Sequence, residues 1–158
     1  MRCLIMIAIG LSFVCIGTGD QEKDLEHSRR KRSMYELGTM VACATGLSPM
    51  AYADYGCWCG RGGRGEAVDD IDGCCRSHDL CYQRLREQRI CRRWQLYLLP
   101  YGFQKTCSHT GTPVLECTGR RRCAFELCQC DRTFALCVRE HRESFSPEYK
   151  HYNQRSCL

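Results

Sequence analysis

His78 and Asp79 sit side by side in the run Cys74-Cys-Arg-Ser-His-Asp-Leu-Cys-Tyr82. Adjacent side chains on a helix diverge by about 100°, so the two must serve different partners. The carboxylate placed for His78 is Asp131, which directly follows Cys130. A carboxylate that accepts the proton of one imidazole nitrogen fixes the tautomer and leaves the other nitrogen as a base for water. Ser77 is not the nucleophile, because neighbours on a helix do not face each other and the glycine elbow that presents a catalytic serine is missing. Asp79 is free for a cation. The segment Tyr55-Gly-Cys-Trp-Cys-Gly-Arg-Gly-Gly-Arg-Gly65 holds five glycines, which disfavour a regular element. Loop carbonyls plus one carboxylate suit Ca2+, since Mg2+ demands a tighter octahedron and keeps its waters. A cage with a single carboxylate is expected to bind weakly, on the order of 10⁻⁴ to 10⁻³ M. No Lys-Ser/Thr follows the glycines, as a nucleotide phosphate loop would need. The plain alternatives are a structural histidine and a tight turn.

These residues need two helices to bring them together. Cys74 to Cys81 and Cys130 to Cys137 are both seven residues apart, two helical turns. Antiparallel helices over about 68–88 and 121–142 are therefore bolted twice, Cys74 to Cys137 and Cys81 to Cys130, with His78 between the bolts and within reach of Asp131. A short amphipathic helix opens the domain, with Ser33 and Glu36 at capping-box spacing and Leu37, Met40 and Val41 at helical intervals. Its apolar side is either core or a membrane-facing patch. Between Tyr101 and Cys117, an aromatic and Thr-containing stretch is broken by His109-Thr-Gly-Thr-Pro113, which predicts a two-stranded hairpin. The chain beyond Ser146-Pro147 reads as irregular.

The ends and the cysteines define the setting. Residues 1–19 carry one Arg, an apolar run from Leu4 to Ile16 and small residues before Asp20, the pattern of a secretory signal peptide. Residues 20–32 are polar and end in Arg29-Arg-Lys-Arg32, a propeptide with a site for a processing protease at Arg32. The domain spans 33–158 and keeps fourteen of the sixteen cysteines, an even number that reads as a disulfide framework in an exported chain. Zinc is disfavoured because the clusters are Cys-x-Cys and vicinal pairs rather than paired knuckles. Residues 33–158 carry 17 Lys and Arg against 14 Asp and Glu, a mild basicity suited to anionic surfaces. No nucleic-acid motif accompanies it.

Three segments together carry a resemblance: the glycine run, the His78 run, and Cys128-Gln-Cys-Asp-Arg-Thr-Phe-Ala-Leu-Cys137. The chain resembles the secreted phospholipases A2, in particular the pancreatic-type (group I) branch, over essentially all of 33–158. The resemblance implies a mainly α, disulfide-rich fold: two long antiparallel linked helices, a short N-terminal helix, a calcium loop and a small two-stranded β-wing. It implies His78 as general base, Asp131 as its orienting partner, and Tyr82 and Tyr101 hydrogen-bonded to that aspartate. Ca2+ would be held by the carbonyls of Trp58, Gly60 and Gly62 and by Asp79, with the Gly60 N–H facing the oxyanion and Tyr97 near the substrate phosphate. The implied bridges are Cys43–Cys107, Cys57–Cys157, Cys59–Cys75, Cys74–Cys137, Cys81–Cys130, Cys91–Cys123 and Cys117–Cys128. The implied activity is release of the sn-2 fatty acid from glycerophospholipids at a membrane or micelle surface, by a secreted monomer made as a zymogen. Departures from the family are Trp58 for a usual Tyr, Glu36 for Gln, Ala67 for Pro, and a longer hairpin. The rival is a non-enzymatic binding protein or toxin on the same scaffold, which loss of His78 or Asp79 would have favoured.

Overall fold

In the computed structural model the cysteine spacings become rungs between two helices. It describes residues 32–158 apart from 61, 109 and 110, and the side chains of 32 and 33 are not described. The signal and propeptide readings fall on residues outside that range, save Arg32. Helix α2 (Asp70–Glu87) and helix α4 (Arg122–Glu140) are joined by Cys74–Cys137 and Cys81–Cys130, with Cα–Cα separations of 5.8 and 5.9 Å. The order of the rungs reverses between the helices, so they run antiparallel. Ile71 and Leu85 on α2 meet Leu127, Phe134 and Val138 on α4 in one buried core.

Both helices are shorter than the expected spans. α2 begins at Asp70 because the Asp69 side chain accepts the Asp72 N–H at 2.8 Å, an N-cap that stops the helix extending back to Val68. Asp70 and Asp72 in its first turn and Arg84 and Arg86 in its last complement the helix dipole. It ends in a Schellman turn, with Ile90 N–H donating to Leu85 O at 2.9 Å and Arg89 N–H to Arg86 O at 3.0 Å.

Helix α1 (Arg32–Thr45) starts one residue before the expected cap, so Ser33 lies inside its first turn. Met40, Val41 and Ala44 are buried in the common core, while Met34 and Tyr35 stay outside at 71% and 72% exposure. Two short elements lie outside the expected set, a 3-10 turn at Pro49–Ala51 and helix α3 (Gln95–Leu98). The hairpin is present as β1 (Gly102–Thr106) paired antiparallel to β2 (Val114–Thr118), with Phe103 opposite Cys117. Cys117–Cys128 pins β2 to α4, and Cys43–Cys107 ties α1 to the end of the hairpin. The tail carries 3-10 turns at Arg142–Ser144, Pro147–Tyr149 and Gln154–Ser156 before Cys57–Cys157 returns it to the glycine loop. Among the described residues no helix is long and apolar enough to cross a membrane.

Candidate active site

Three side chains converge on Asp131, which is fully buried on α4. His78 Nε2 lies 2.7 Å from Asp131 Oδ1, the Tyr82 hydroxyl donates to the same oxygen at 2.8 Å, and the Tyr101 hydroxyl donates to Oδ2. His78 and Tyr82 are four residues apart and so share a face of α2, whereas Tyr101 arrives from the link between α3 and β1. With Nε2 committed to the carboxylate, Nδ1 keeps the lone pair. The imidazole, 12% exposed, packs 4.9 Å from the Phe134 ring and 4.5 Å from that of Tyr82. Burial, then the charge of Asp131, raises the pKa of both tyrosines, which keeps them as donors. Tyr97 is exposed, its ring 6.2 Å from that of Tyr82.

Asp79 is half-buried, and among the described residues no hydrogen-bond donor or cation pairs with its carboxylate. Burial raises its pKa, partly opposed by His78. A carboxylate withdrawn from water without a partner is a ready ligand for a cation. The glycine loop supplies a matching pattern. The carbonyls of Cys57 and Cys59 accept N–H groups of Arg64 and Tyr55, whereas among the described residues those of Trp58, Gly60 and Gly62 accept none. Gly60 and Gly62 have φ of 153° and 75°, the left-handed region open to glycine. The donor set of three free carbonyls and one unpartnered carboxylate therefore fits a hard cation such as Ca2+.

What holds this loop is a residue the sequence reading passed over. Asp72, fully buried, accepts the backbone N–H groups of Cys57 at 2.8 Å, Trp58 at 2.7 Å and Val68 at 3.1 Å. Gly56, at φ 61°, lies so close that a Cβ there would collide with the Asp72 carboxylate. Its only sequence signal is the acidic run Asp69-Asp-Ile-Asp72, which equally marks a helix start. The Trp58 side chain adds a brace: Nε1 donates to Gly65 O at 3.1 Å, a Cβ on Gly63 would lie 2.6 Å from the indole, and the Arg76 guanidinium sits 5.6 Å from the ring centroid. Tyr55 closes the far side, donating to Asp69 and accepting Ser146 N–H.

Two other features are not sites of this chemistry. A cavity of about 400 Å³ beside β2, lined by Leu115, Glu116, Cys117, Gln129 and Arg132, includes none of these residues. Cys74, Cys137 and His141 cluster at metal-binding distance, but the two sulfurs are spent on their disulfide.

Comparison with known proteins places this geometry in context. Residues 34–150 match the family described as phospholipase A2. The chain is 35% identical over 125 residues to the human group IIE secretory phospholipase A2, covering 79% of this chain and 82% of that one. It is 33% identical over 138 residues to phospholipase A2 AP-PLA2-I of Acanthaster planci, covering 80% and 86%. To phospholipase A2 A2-actitoxin-Ucs2a of Urticina crassicornis it is 35% identical over 158 aligned residues, covering 94% and 97%.

Proposed function

The chain belongs to the phospholipase A2 family, and from that premise we propose that it is a secreted, calcium-dependent enzyme of the pancreatic-type branch. Its reaction is hydrolysis of the sn-2 acyl ester of glycerophospholipids to a fatty acid and a lysophospholipid. The observation that carries this reading is the buried Asp131 receiving His78 Nε2 and two tyrosine hydroxyls. Nδ1 takes a proton from water as its oxygen bonds to the ester carbonyl carbon. As the ester C–O bond breaks, the imidazolium returns that proton to the leaving lysophospholipid oxygen. The carbonyls of Trp58, Gly60 and Gly62 and the Asp79 carboxylate would hold Ca2+, which when bound would supply positive charge for the ester oxygen, and the Gly60 N–H is assigned as a donor to that oxygen. Tyr97 is assigned to the substrate phosphate, a role its exposure beside Tyr82 supports.

The seven disulfides, including Cys43–Cys107 and Cys91–Cys123, support the pancreatic-type branch. The same reading has a signal peptide over 1–19, a propeptide over 20–32 cut after Arg32, and a mature monomer acting on a membrane or micelle surface. Secretory relatives support the extracellular setting.

The test expresses the full chain and assays the secreted protein on mixed phospholipid vesicles. Fatty acid release is expected in millimolar Ca2+, to stop on chelation and return with added Ca2+. Full activity in chelator removes the metal from the reaction, and Ca2+ binding without release favours the binding-protein alternative. N-terminal sequencing is expected to begin at Ser33. Fully active protein beginning at Asp20 discards the propeptide.

A further inference from the structure

The disulfide closes the cluster of Cys74, Cys137 and His141 to a metal, yet the imidazole stays beside the sulfurs. One nitrogen of His141 and the two Sγ atoms all lie within 4.8 Å of one another. Cys137 is in the last turn of α4 and His141 is its cap residue, four positions on and so on the same face. From the first turn of α2, Asp70 Oδ2 faces His141 Nδ1 at 3.6 Å. Among the described residues, none of the other six bridges has a histidine nitrogen or a carboxylate oxygen this close to both of its sulfurs.

That placement bears on thiol–disulfide exchange. A thiolate attacks one sulfur of the bridge, and the step quickens as the departing sulfur becomes a better leaving group. An imidazolium beside the departing sulfur favours the thiolate and supplies its proton. Burial sets the direction: Cys74 is 1% exposed, whereas Cys137 is only partly buried and the His141 side chain is 38% exposed. An incoming thiolate therefore meets Cys137, and Cys74 departs.

We propose that Cys74–Cys137 is a redox-reactive site, opened by a dithiol reductant ahead of the other six bridges, with His141 as the acid. One sulfur of the reductant bonds to Cys137 Sγ as the Cys74–Cys137 bond breaks, and Cys74 Sγ takes the proton of His141. The second sulfur of the reductant then attacks the first, which closes the reductant's own disulfide and releases Cys137 as a thiolate. The dithiol is oxidised, the bridge is reduced by the same two electrons, and solvent returns a proton to His141. Opening this rung frees the start of α2, where Asp72 holds the glycine loop, while Cys81–Cys130 still bolts the helices beyond His78. The inference does not depend on phospholipid hydrolysis, so an inactive protein is expected to show the same order of opening.

The experiment treats the secreted full-chain product with dilute dithiothreitol at neutral pH without denaturant. New thiols are trapped with an alkylating agent and mapped by peptide mass spectrometry over time. Label is expected on Cys74 and Cys137 before the cysteines of any other bridge. Exposure alone favours Cys43–Cys107, because Cys107 is exposed, so the order of opening separates the two causes. His141→Gln is expected to slow opening of Cys74–Cys137 about tenfold or more and to leave the other six rates within about twofold. A purely structural role for His141 predicts the opposite sign, since a loosened end of α4 admits the reductant faster. His151→Gln, exposed on the tail, serves as control. In the opened protein, amide hydrogen exchange is expected to quicken at Cys57, Trp58 and Val68, whose N–H groups Asp72 holds, and unchanged exchange there removes the link to the loop. The proposal is overturned if another bridge opens first, if His141→Gln opens as fast as the parent or faster, or if the control is slowed as much.

Discussion

His78 and Asp131 meet from helices bolted on either side of them, by Cys74–Cys137 and Cys81–Cys130. Among its described residues the segment from Tyr55 to Glu66 has no helix or strand of its own, and it takes much of its shape from groups outside it: Asp72, the Cys59–Cys75 and Cys57–Cys157 bridges, and the Leu158 carbonyl that accepts Glu66 N–H at 3.3 Å. In the first region side chains do the chemistry and the backbone is merely rigid. In the second the backbone carbonyls are the proposed ligands, and side chains only aim them. Damage to the frame should therefore remove the reaction while sparing cation binding, and damage to the loop should weaken cation binding while sparing the reaction at saturating Ca2+.

The largest expected effect is in the frame. His78→Gln is expected to lower kcat by about 10²- to 10⁴-fold, the usual contribution of a general base, while Ca2+ affinity measured by calorimetry stays within about twofold of the parent. A parallel loss of both would dissolve the distinction between the two regions. Next comes Asp72→Ala, which leaves three backbone N–H groups unsatisfied where water is excluded. At about 1 kcal/mol or more for each, unfolding free energy is expected to fall by roughly 3 kcal/mol, and Ca2+ binding to weaken more than tenfold. Unchanged affinity in that variant would mean that the disulfides alone shape the loop.

An alkaline titration probes the frame more gently. Tyr82 and Tyr101 have pKa values raised in the folded protein, by burial first and then by Asp131. Their contribution is fully present below the unfolded phenol pKa near 10 and is lost as pH rises beyond it, by about 1.4 kcal/mol per pH unit for each tyrosine. Denaturant melts from pH 9 to 11 are expected to show that decline, and Tyr101→Phe to remove one tyrosine's share of the slope. The smallest effect belongs to the loop: Trp58→Phe keeps a ring over Gly63 but deletes the Nε1 donor to Gly65. The loss of about 1 kcal/mol should appear as roughly fivefold weaker Ca2+ binding, with kcat intact at saturating Ca2+. An unchanged affinity would show the indole to be a passive cover.

The helical frame was legible because its signals are local and periodic. Seven residues is two turns wherever it occurs, so the cysteine pairs and the position of His78 between them could be read from numbers alone. Asp79 and the glycines were legible as donor types. Asp72 was not, because an acid in the first turn of a helix looks the same whether it faces water or a loop folded back over it. The same holds for the indole of Trp58, whose use depends on where Gly63 and Gly65 come to rest. Ser33 was misread as a cap because the choice between neighbouring start residues is worth little energy and is settled by surrounding contacts.

By itself the amino-acid order determined which residues are the candidates for base and cation-binding chemistry, that two helices would present them, and that cysteines would hold the assembly. Tyr101, expected at Asp131 only through the family resemblance, reaches it from thirty residues away, and tertiary structure alone decided that one buried carboxylate orients the loop. It also set Asp70 against His141 beside the Cys74–Cys137 bridge. The physical reason is range: helical period and side-chain type act within a few residues, whereas the closing of distant segments is set by burial and cross-links summed over the whole chain.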